Sequence, residues 1–490
     1  MIQSRSRIVL FSLLVLISGL TSAAVARELT LEPCRLTSPS GLGSVAAECG
    51  LLEVALNPAE PEAGIVGLSV ARIAALNPAT DATPLTLLAG GPGQAASDFY
   101  ASYAPAFERI RRHHDIFLVD QRGTGNSHAL DCEGPDEIGE EFSLEAVRRS
   151  TIECLEALDT DPAFFTTSLA VNDLDQVRVA LGYESINLYG ASYGTRVALH
   201  YLRRFPQHTR AVILDGAVPA DHALGPGIAL NAQHALDLLF ERCLQSSACH
   251  ETFPDIEASF SNLLEVLRVK PQHVVLQHPV TGKRVSFDFG ALELAMSTRL
   301  LSYSPQTSGL LPLLIDQAYR EDNLVPLAAQ ALMESESIAQ TLSLGMHNTI
   351  VCSEDVPFYD HISIDRAALA QTYLGTLQLD ALTEICRHWP VGPVDEDFKD
   401  PVVSDMPVLI LSGSADPITP PSMGEQIAAT LGNALHVIGQ HQGHGMLAVG
   451  CVPRLMTQFI DNASVDGLDT SCVAEARSAS FFISFSGPKP

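Results

Sequence analysis

The sequence predicts an α/β fold, in which a mostly parallel β-sheet carries helices on both faces. Short apolar runs with the length of buried strands recur along the chain, and segments with helical periodicity separate several of them. Because parallel strands need long crossover connections, this alternation indicates a parallel sheet covered by helices. The predicted buried strands are 85–89, 115–119, 186–189, 211–214, 408–411 and 435–438.

The strand pattern stops near Pro219 and resumes around Pro407, which predicts an inserted, mainly helical cap. Helical stretches such as 229–243 and 311–337 occupy this interval. At 490 residues with 46% hydrophobic content, the chain is long enough for a large core with such an insertion. The predicted organisation is a signal peptide at 1–26, the first part of the core at 27–218, the cap at 219–405 and the second part of the core at 406–490.

The first 26 residues have the pattern of a secretory signal peptide. Arg5 and Arg7 precede an apolar run over 8–20, and small residues end at Ala26. This run is shorter than the roughly 20 apolar residues of a spanning helix, so we expect cleavage and no membrane insertion. The mature protein is expected to be exported, either to a periplasm or to the medium.

The ten cysteines are an even number, which suits an exported chain. Disulfides explain them better than metal ligands or reactive thiols, and the sequence shows no metal or cofactor motif. Short loops favour local pairing, although spacing alone leaves the connectivity open. The expected pairs are Cys34 with Cys49, Cys132 with Cys154, Cys243 with Cys249, Cys352 with Cys386 and Cys451 with Cys472.

Two extended runs, 49–56 and 65–75, precede the first buried strand. The segment between them contains prolines and ends in glycine, which is typical of a turn. Together they predict an antiparallel hairpin at the start of the core.

The strongest functional signal is Gly-Ala-Ser-Tyr-Gly at 190–194. An apolar strand leads into it and a helical pattern follows, which is the context of a nucleophile elbow. A serine hydroxyl needs a base, and a sharp strand-to-helix turn presents its oxygen to one. Gly190 and Gly194 permit the turn because they have no Cβ. We therefore predict Ser192 as the nucleophile of a serine hydrolase.

Two later loops supply the other members of a catalytic triad. One follows the strand at 408–411 and carries Asp416. The other follows 435–438 and carries His444 between two glycines. In this chain order Asp416 would orient the imidazole and His444 would take the serine proton. His441 on the same loop is the competing histidine, and Asp416 could instead be a turn residue before a proline.

Two further motifs follow buried strands. In Gly-Gly-Pro-Gly at 90–93 the missing side chains let backbone N–H groups approach a substrate carbonyl, so Gly91 and Tyr193 are the predicted oxyanion donors. A tight structural turn is the alternative for this motif. In the Asp-Gln-Arg-Gly motif after the next strand, Asp120 and Arg122 are predicted to form a buried network that braces these loops, and a direct catalytic role is the less favoured alternative.

Composition limits the partners. The chain has 57 acidic and 29 basic residues, a formal net charge of -28, which argues against nucleic acid or an anionic membrane surface as a partner. A negative field would also suit substrates with a free amino group, although a solvated acidic surface is the ordinary explanation.

Together, the motifs resemble the proline iminopeptidase and tripeptidyl aminopeptidase branch of the α/β-hydrolase fold, including the tripeptidyl aminopeptidase-like C-terminal region. The resemblance covers most of the mature chain. It implies an α/β-hydrolase fold with a cap that shapes the substrate pocket, and exopeptidases that release one or a few residues from a free N-terminus. Ala89 departs from the pattern, because many proline iminopeptidases have histidine there, and this leaves prolyl specificity open. The motifs lie at 90–93, 120–127, 190–195, 214–219 and 443–445.

An aminopeptidase must hold a substrate ammonium group, and a cap carboxylate is the natural counter-charge. Glu354 is the candidate, with a solvated or helix-capping carboxylate as the alternative. The sequence thus predicts an exported serine aminopeptidase that acts on peptides with a free N-terminus. A carboxylesterase or lipase with the same triad, and an inactive binding protein of the same fold, are the alternatives. The oligomeric state is left open.

Overall fold

The structure is a computed structural model that describes residues 29–132 and 143–488, so the predicted signal peptide at 1–26 lies outside the described residues. Eleven strands are present in the described parts: β1 (Glu32–Thr37), β2 (Ser44–Ala55), β3 (Ile65–Ile73), β4 (Leu85–Leu88), β5 (Ile116–Val119), β6 (Ile186–Ala191), β7 (Thr209–Asp215), β8 (Gln272–Gln277), β9 (Arg284–Phe289), β10 (Val408–Gly413) and β11 (Ala434–Gly439).

The main sheet has nine strands in the order β1-β2-β3-β5-β4-β6-β7-β10-β11. From β5 to β11 all neighbours are parallel, whereas β1, β2 and β3 pair antiparallel at one edge. The mostly parallel sheet, the opening hairpin β2–β3 and all six predicted strands are present, but β11, at the edge of the sheet, is only partly buried. The sequence did not predict β1, because this edge strand is largely exposed and has no apolar run.

Helices connect the strands. They are α1 (Ala96–Phe107), α2 (Leu144–Ala157), α3 (Thr167–Ala180), α4 (Tyr193–Arg204), α5 (Ile228–Gln245), α6 (Ser247–Thr252), α7 (Ile256–Val269), α8 (Ala291–Leu301), α9 (Pro305–Ser308), α10 (Leu311–Arg320), α11 (Val325–Thr341), α12 (Leu344–Glu354), α13 (Arg366–Ala370), α14 (Leu377–Cys386), α15 (Pro421–Ala428), α16 (Val452–Asn462) and α17 (Ser471–Ala474). In the described residues none of these helices has both the length and the apolar character that crossing a membrane requires.

Two apolar clusters fill the two faces of the main sheet. Successive residues of β7 alternate between them, with Val212 in one cluster and Ile213 in the other, because neighbouring strand residues point to opposite faces. The first cluster includes Val197 of α4, and the second includes Phe107 of α1 and Phe459 of α16. Burial of these apolar side chains on both faces holds the helices against the sheet.

A third apolar cluster is formed mainly by the chain between β7 and β10, and Ile418 and Phe481 from the later chain complete it. We propose the bounds 219–405 for this segment and call it the cap insertion. It is mainly helical, but the described part also contains the two-stranded sheet β8–β9, which the sequence did not predict. In β8 only alternate side chains are buried, so no continuous apolar run marks the strand. The helical stretch predicted at 311–337 is divided between α10 and α11.

All five predicted disulfides are present. Cys34–Cys49 ties the edge strand β1 to β2, and Cys352–Cys386 joins α12 to α14 within the cap insertion. Each bridge is local in sequence, as expected, and the described residues include no free cysteine.

Candidate active site

Ser192 lies at the turn between β6 and α4. Its backbone has φ 53° and ψ -121°, a conformation that residues with a side chain rarely adopt and that occurs most often at functional sites. The two flanking glycines are needed for packing. A Cβ at Gly190 would lie 2.5 Å from the Gly194 carbonyl oxygen, and one at Gly194 would overlap the Leu88 carbonyl. The predicted strand, sharp turn and helix are therefore present.

Asp416 and His444 meet on the loops after β10 and β11. His444 Nδ1 lies 2.8 Å from Asp416 Oδ2. The carboxylate is fixed in turn by the backbone N–H groups of Ile418 and Thr419, at 2.8 and 2.9 Å, and by the Thr419 hydroxyl at 2.8 Å. Because the Nδ1–H group donates a hydrogen bond to Asp416, the other ring nitrogen, Nε2, is left as the basic one.

The environment of His444 favours its charged form. Burial alone would lower the pKa of His444, but the negative charge and the hydrogen bond of Asp416 outweigh burial and hold this pKa above its ordinary value. The competing His441 lies on the surface, where its backbone N–H donates to the Ser414 hydroxyl at 2.7 Å. The structure thus brings His444, and not His441, to Asp416.

The imidazole of His444 lies next to the elbow. A Cβ at Gly216 would come within 3.0 Å of its Cε1 atom, so the ring packs on the backbone just after β7. The preceding residue, Asp215, accepts a hydrogen bond from the Ser192 backbone N–H at 2.8 Å through its carbonyl oxygen. Ser192 and His444 therefore flank the same short backbone segment.

The Gly-Gly-Pro-Gly loop lies against the other side of the nucleophile. A Cβ at Gly90 would be 3.2 Å from the Ser192 Cβ, and Gly91 has φ +106°, which favours glycine. Tyr193 is the first residue of α4, where backbone N–H groups have no acceptor within the helix. Both predicted oxyanion donors thus belong to segments that adjoin Ser192.

Asp120 and Arg122 are both buried, but they belong to separate networks. Asp120 accepts from the backbone N–H and hydroxyl of Ser97, at 2.9 and 3.0 Å, and from the Asn126 N–H at 3.2 Å. Arg122 forms a two-point pair with Asp173 at 2.6 and 2.8 Å. The first network holds the start of α1, which follows the Gly-Gly-Pro-Gly loop, and the second anchors α3.

Glu354 is fully buried at the end of α12. Its carboxylate accepts the Thr167 N–H at 2.7 Å and the Thr167 hydroxyl at 2.9 Å, and Arg196 lies 3.8 Å away. Burial raises the pKa of Glu354 to about 7, although the positive charge of Arg196 opposes this shift. These contacts match the capping alternative for Glu354, at the start of α3, and a contact with a substrate ammonium group stays a prediction.

Two residues near the triad were not predicted. Asp215 accepts the N–H groups of Met446 and Leu447, at 2.7 and 2.9 Å, and thereby fixes the chain just after His444. Its position at the carboxyl end of a buried strand was an available signal. Tyr303 of the cap insertion accepts the His444 N–H through its carbonyl at 2.7 Å, and no sequence pattern indicated this distant contact.

The arrangement brings together Ser192, with its strained backbone, and His444, whose ring is hydrogen-bonded to Asp416. A serine and a base can attack a carbonyl carbon, and the backbone of the adjacent Gly-Gly-Pro-Gly loop can stabilise the resulting oxyanion. In the described parts of the chain no group of His, Cys, Asp and Glu side chains is arranged to hold a metal ion.

Comparison with known proteins gives a consistent family match. The family model of the alpha/beta hydrolase fold matches residues 83–450. The chain is 26% identical over 478 residues to serine protease Hip1 of Mycobacterium tuberculosis, with 90% of each chain covered. It is 29% identical over 189 residues to a tripeptidyl aminopeptidase of Streptomyces coelicolor, with 35% of each covered. It is also 28% identical over 424 residues to carboxylesterase B of Mycobacterium tuberculosis, with 79% of each covered.

Proposed function

The chain belongs to the α/β-hydrolase fold family, and from this premise we propose that it is an exported serine aminopeptidase that hydrolyses peptide bonds near a free N-terminus. The coarser assignment is a serine hydrolase that acts as a peptidase. The observation that carries the catalytic proposal is the 2.8 Å contact between His444 Nδ1 and Asp416, beside the strained backbone of Ser192.

In the proposed mechanism the Ser192 oxygen attacks the carbonyl carbon of the scissile bond while His444 Nε2 takes its proton. Asp416 stabilises the imidazolium, and the N–H groups of Gly91 and Tyr193 stabilise the oxyanion. His444 then gives the proton to the leaving nitrogen, and the C–N bond breaks to leave an acyl group on Ser192. Water, deprotonated by the same imidazole, attacks this ester and frees the serine.

Export is supported by the disulfides. Five bridges use every cysteine of the described chain, and disulfides persist mainly in oxidising compartments. Together with the signal-like segment at 1–26, they support a periplasmic or secreted location.

The proposed substrates are peptides with a free N-terminus. Among the named relatives, a tripeptidyl aminopeptidase supports this choice. The net charge of -28 would attract a cationic N-terminus. In this proposal Glu354 is the candidate counter-charge for the substrate ammonium group, and it would have to share its carboxylate between the ligand and Thr167.

A carboxylesterase is the second candidate, because carboxylesterase B is among the relatives and the same triad cleaves esters. The two candidates differ in their need for an amine. A peptidase that acts at the N-terminus must recognise the ammonium group, whereas an esterase has no such requirement.

The test is an assay of the purified mature protein on chromogenic aminoacyl and tripeptidyl amides, their N-acetylated forms and short-chain esters, with Ser192→Ala as the control. We expect amide cleavage that N-acetylation abolishes. Ester cleavage without amide cleavage would assign an esterase, and amide cleavage that persists in Ser192→Ala would exclude the mechanism.

A further inference from the structure

Arg299 lies near the end of α8 in the cap insertion, and within residues 29–132 and 143–488 its guanidinium group has no carboxylate partner. Its Nη2 donates to the Tyr303 hydroxyl at 3.2 Å, and its Nε is buried without any hydrogen-bond partner in the described parts of the chain. Two other arginines of the cap insertion pair with carboxylates, Arg320 with Asp316 and Arg387 with Glu384. Arg242 also has a buried nitrogen without a partner among the described residues, but it donates to the Ala479 carbonyl near the end of the described chain. A buried donor without an acceptor is costly, and such groups occur where a ligand completes the bonding.

This guanidinium lies close to the catalytic base. Its Cζ is 6.0 Å from the centre of the Tyr303 ring, and that ring meets the His444 ring edge-on, with centroids 5.1 Å apart. The Tyr303 carbonyl also accepts the His444 N–H at 2.7 Å. One aromatic ring therefore separates the free cation from the imidazole. In agreement with this position, the charge of Arg299 counteracts part of the rise in the pKa of His444.

Tyr373 supplies a second unpartnered donor. It is buried, and its hydroxyl has no hydrogen-bond partner among the described residues. Tyr373 belongs to the same apolar cluster as Leu301 of α8, and Tyr303 packs against that cluster. Burial raises the pKa of Tyr373, and the charge of Arg299 opposes this rise. The phenol therefore stays protonated and can donate. The guanidinium Nε and the phenol hydroxyl, each without an acceptor in the described residues, form a complementary pair of donors for an anion.

We propose that Arg299, with Tyr373, binds a carboxylate of the substrate on the leaving-group side of the scissile bond. The side follows from the mechanism, because His444 protonates the leaving nitrogen and the leaving group must lie against it. Carboxylate fits because a guanidinium binds it with two charge-assisted hydrogen bonds. The carboxylate has two possible sources, the free C-terminus of a short peptide or the side chain of Asp or Glu after the scissile bond. The inference rests on the proposed peptidase function.

The test compares two leaving groups that differ only in charge, 4-aminobenzoate and 4-aminobenzamide, on the acyl peptide that the protein cleaves best. We expect the native protein to favour the carboxylate. In Arg299→Gln the ratio of kcat/KM for the acid to that for the amide falls by about 10- to 100-fold. Arg320→Gln is the matched control, because it removes a cap arginine that already has its carboxylate partner.

Tyr373→Phe is a second variant, since it deletes only the unpartnered hydroxyl. It should lower the same ratio by about 3- to 10-fold. Two pairs of substrates distinguish the two sources of the carboxylate. Tetrapeptide acids and the corresponding amides test the free C-terminus. Tetrapeptide amides with Glu or Gln at the fourth position test the side chain. For each pair we compare the ratio of kcat/KM for the charged substrate to that for the neutral one. The pair whose ratio falls in Arg299→Gln identifies the source.

Failure of this inference and failure of the proposed function are distinguishable. If the native protein cleaves neutral amides but shows no preference for the carboxylate, or if Arg299→Gln changes both substrates equally, the carboxylate site is wrong and the peptidase stands. If no amide is cleaved, the same comparison is made with acyl esters of 4-hydroxybenzoate and 4-hydroxybenzamide. A preference that depends on Arg299 there would keep the site and remove the peptidase, and its absence would remove both.

Discussion

The loops that carry Asp416 and Asp215 and the part of the cap insertion around Arg299 differ in how completely their polar groups are hydrogen-bonded. Around the triad the key groups are bonded within the protein: Asp416 accepts three hydrogen bonds besides that of His444, and Asp215 accepts three. In the cap insertion, Arg299 and Tyr373 keep buried donors without acceptors. Groups that perform the reaction must be held rigidly before the substrate binds. Groups that select a substrate must keep hydrogen-bonding capacity for the substrate to satisfy. In our proposal the core loops therefore perform the reaction, and the cap insertion selects the substrate.

Substitution of the proposed nucleophile is the strongest test of this difference between the core loops and the cap insertion. Ser192→Ala should lower kcat by at least about 10⁴-fold, because it removes the atom that forms the acyl-enzyme. The change deletes one oxygen and leaves the backbone turn in place, so the thermal midpoint should stay close to that of the native protein. Steady-state kinetics and a melting curve measure the two quantities. Substantial turnover by the variant would mean that the core loops around Ser192 are not the catalytic region.

The acid of the triad gives the next largest effect. Asp416→Asn should lower kcat by about 10⁴-fold, because the imidazole loses its tautomer and its counter-charge. The native pKa of His444 is raised above 6.5 and the neutral base is the active form, so kcat/KM of the native protein should fall as the pH drops through a value above 6.5. In Asp416→Asn this limb should move to lower pH. An unchanged limb would assign the titration to another group.

Asp215 tests whether the internal bonding of the core matters beyond the triad. Asp215→Asn should lower kcat by about 10- to 100-fold and lower the free energy of unfolding by about 1–3 kcal/mol, since an amide cannot accept from both Met446 and Leu447 and from Tyr189 as well. Kinetics and denaturant unfolding measure these effects.

The pH dependence of the free energy of unfolding gives a second test of the role of Asp215. Burial raises the pKa of Asp215 from 3.8 to about 6, so the folded protein binds this proton more tightly than the unfolded chain. The stability from this proton is complete below pH 3.8 and is lost as the pH rises through about 6. Asp215→Asn should remove this contribution. Identical pH profiles of stability would contradict the role given to Asp215.

The smallest effect is expected at Glu354, where the two regions meet. If Glu354 binds the substrate ammonium group, Glu354→Gln should raise KM for free-amine substrates by about 3- to 10-fold through loss of a charged partner. N-acetylated substrates, which have no ammonium group, are the control. A change in thermal stability with an unchanged KM would leave Glu354 only its contact with Thr167, and the amine site would then have to be sought elsewhere in the cap insertion.

The sequence predicted the core well because its signals are local. In a parallel sheet, the residues just after each strand lie at the carboxyl edge of the sheet, so a strand pattern also predicts where the next loop lies. Ser192, Asp416 and His444 all follow such strands. The same reasoning did not find Tyr303 or Arg299. Their importance comes from contacts with residues far along the chain, and the cap helices that carry them show no motif. Glu354 illustrates the same limit, because its burial against Thr167 depends on how α12 packs on α3.

The position of the cap insertion also orders the events of biosynthesis. The nucleophile is made before the whole cap insertion, and its acid and base are made after it. The loop that must close to bring β10 beside β7 is therefore long, and this closure comes late in folding. A chain that is still emerging, or one that is truncated before β10, carries a serine with no imidazole. If Ser192, Asp416 and His444 act together as proposed, hydrolytic activity begins only once the chain has been made through His444.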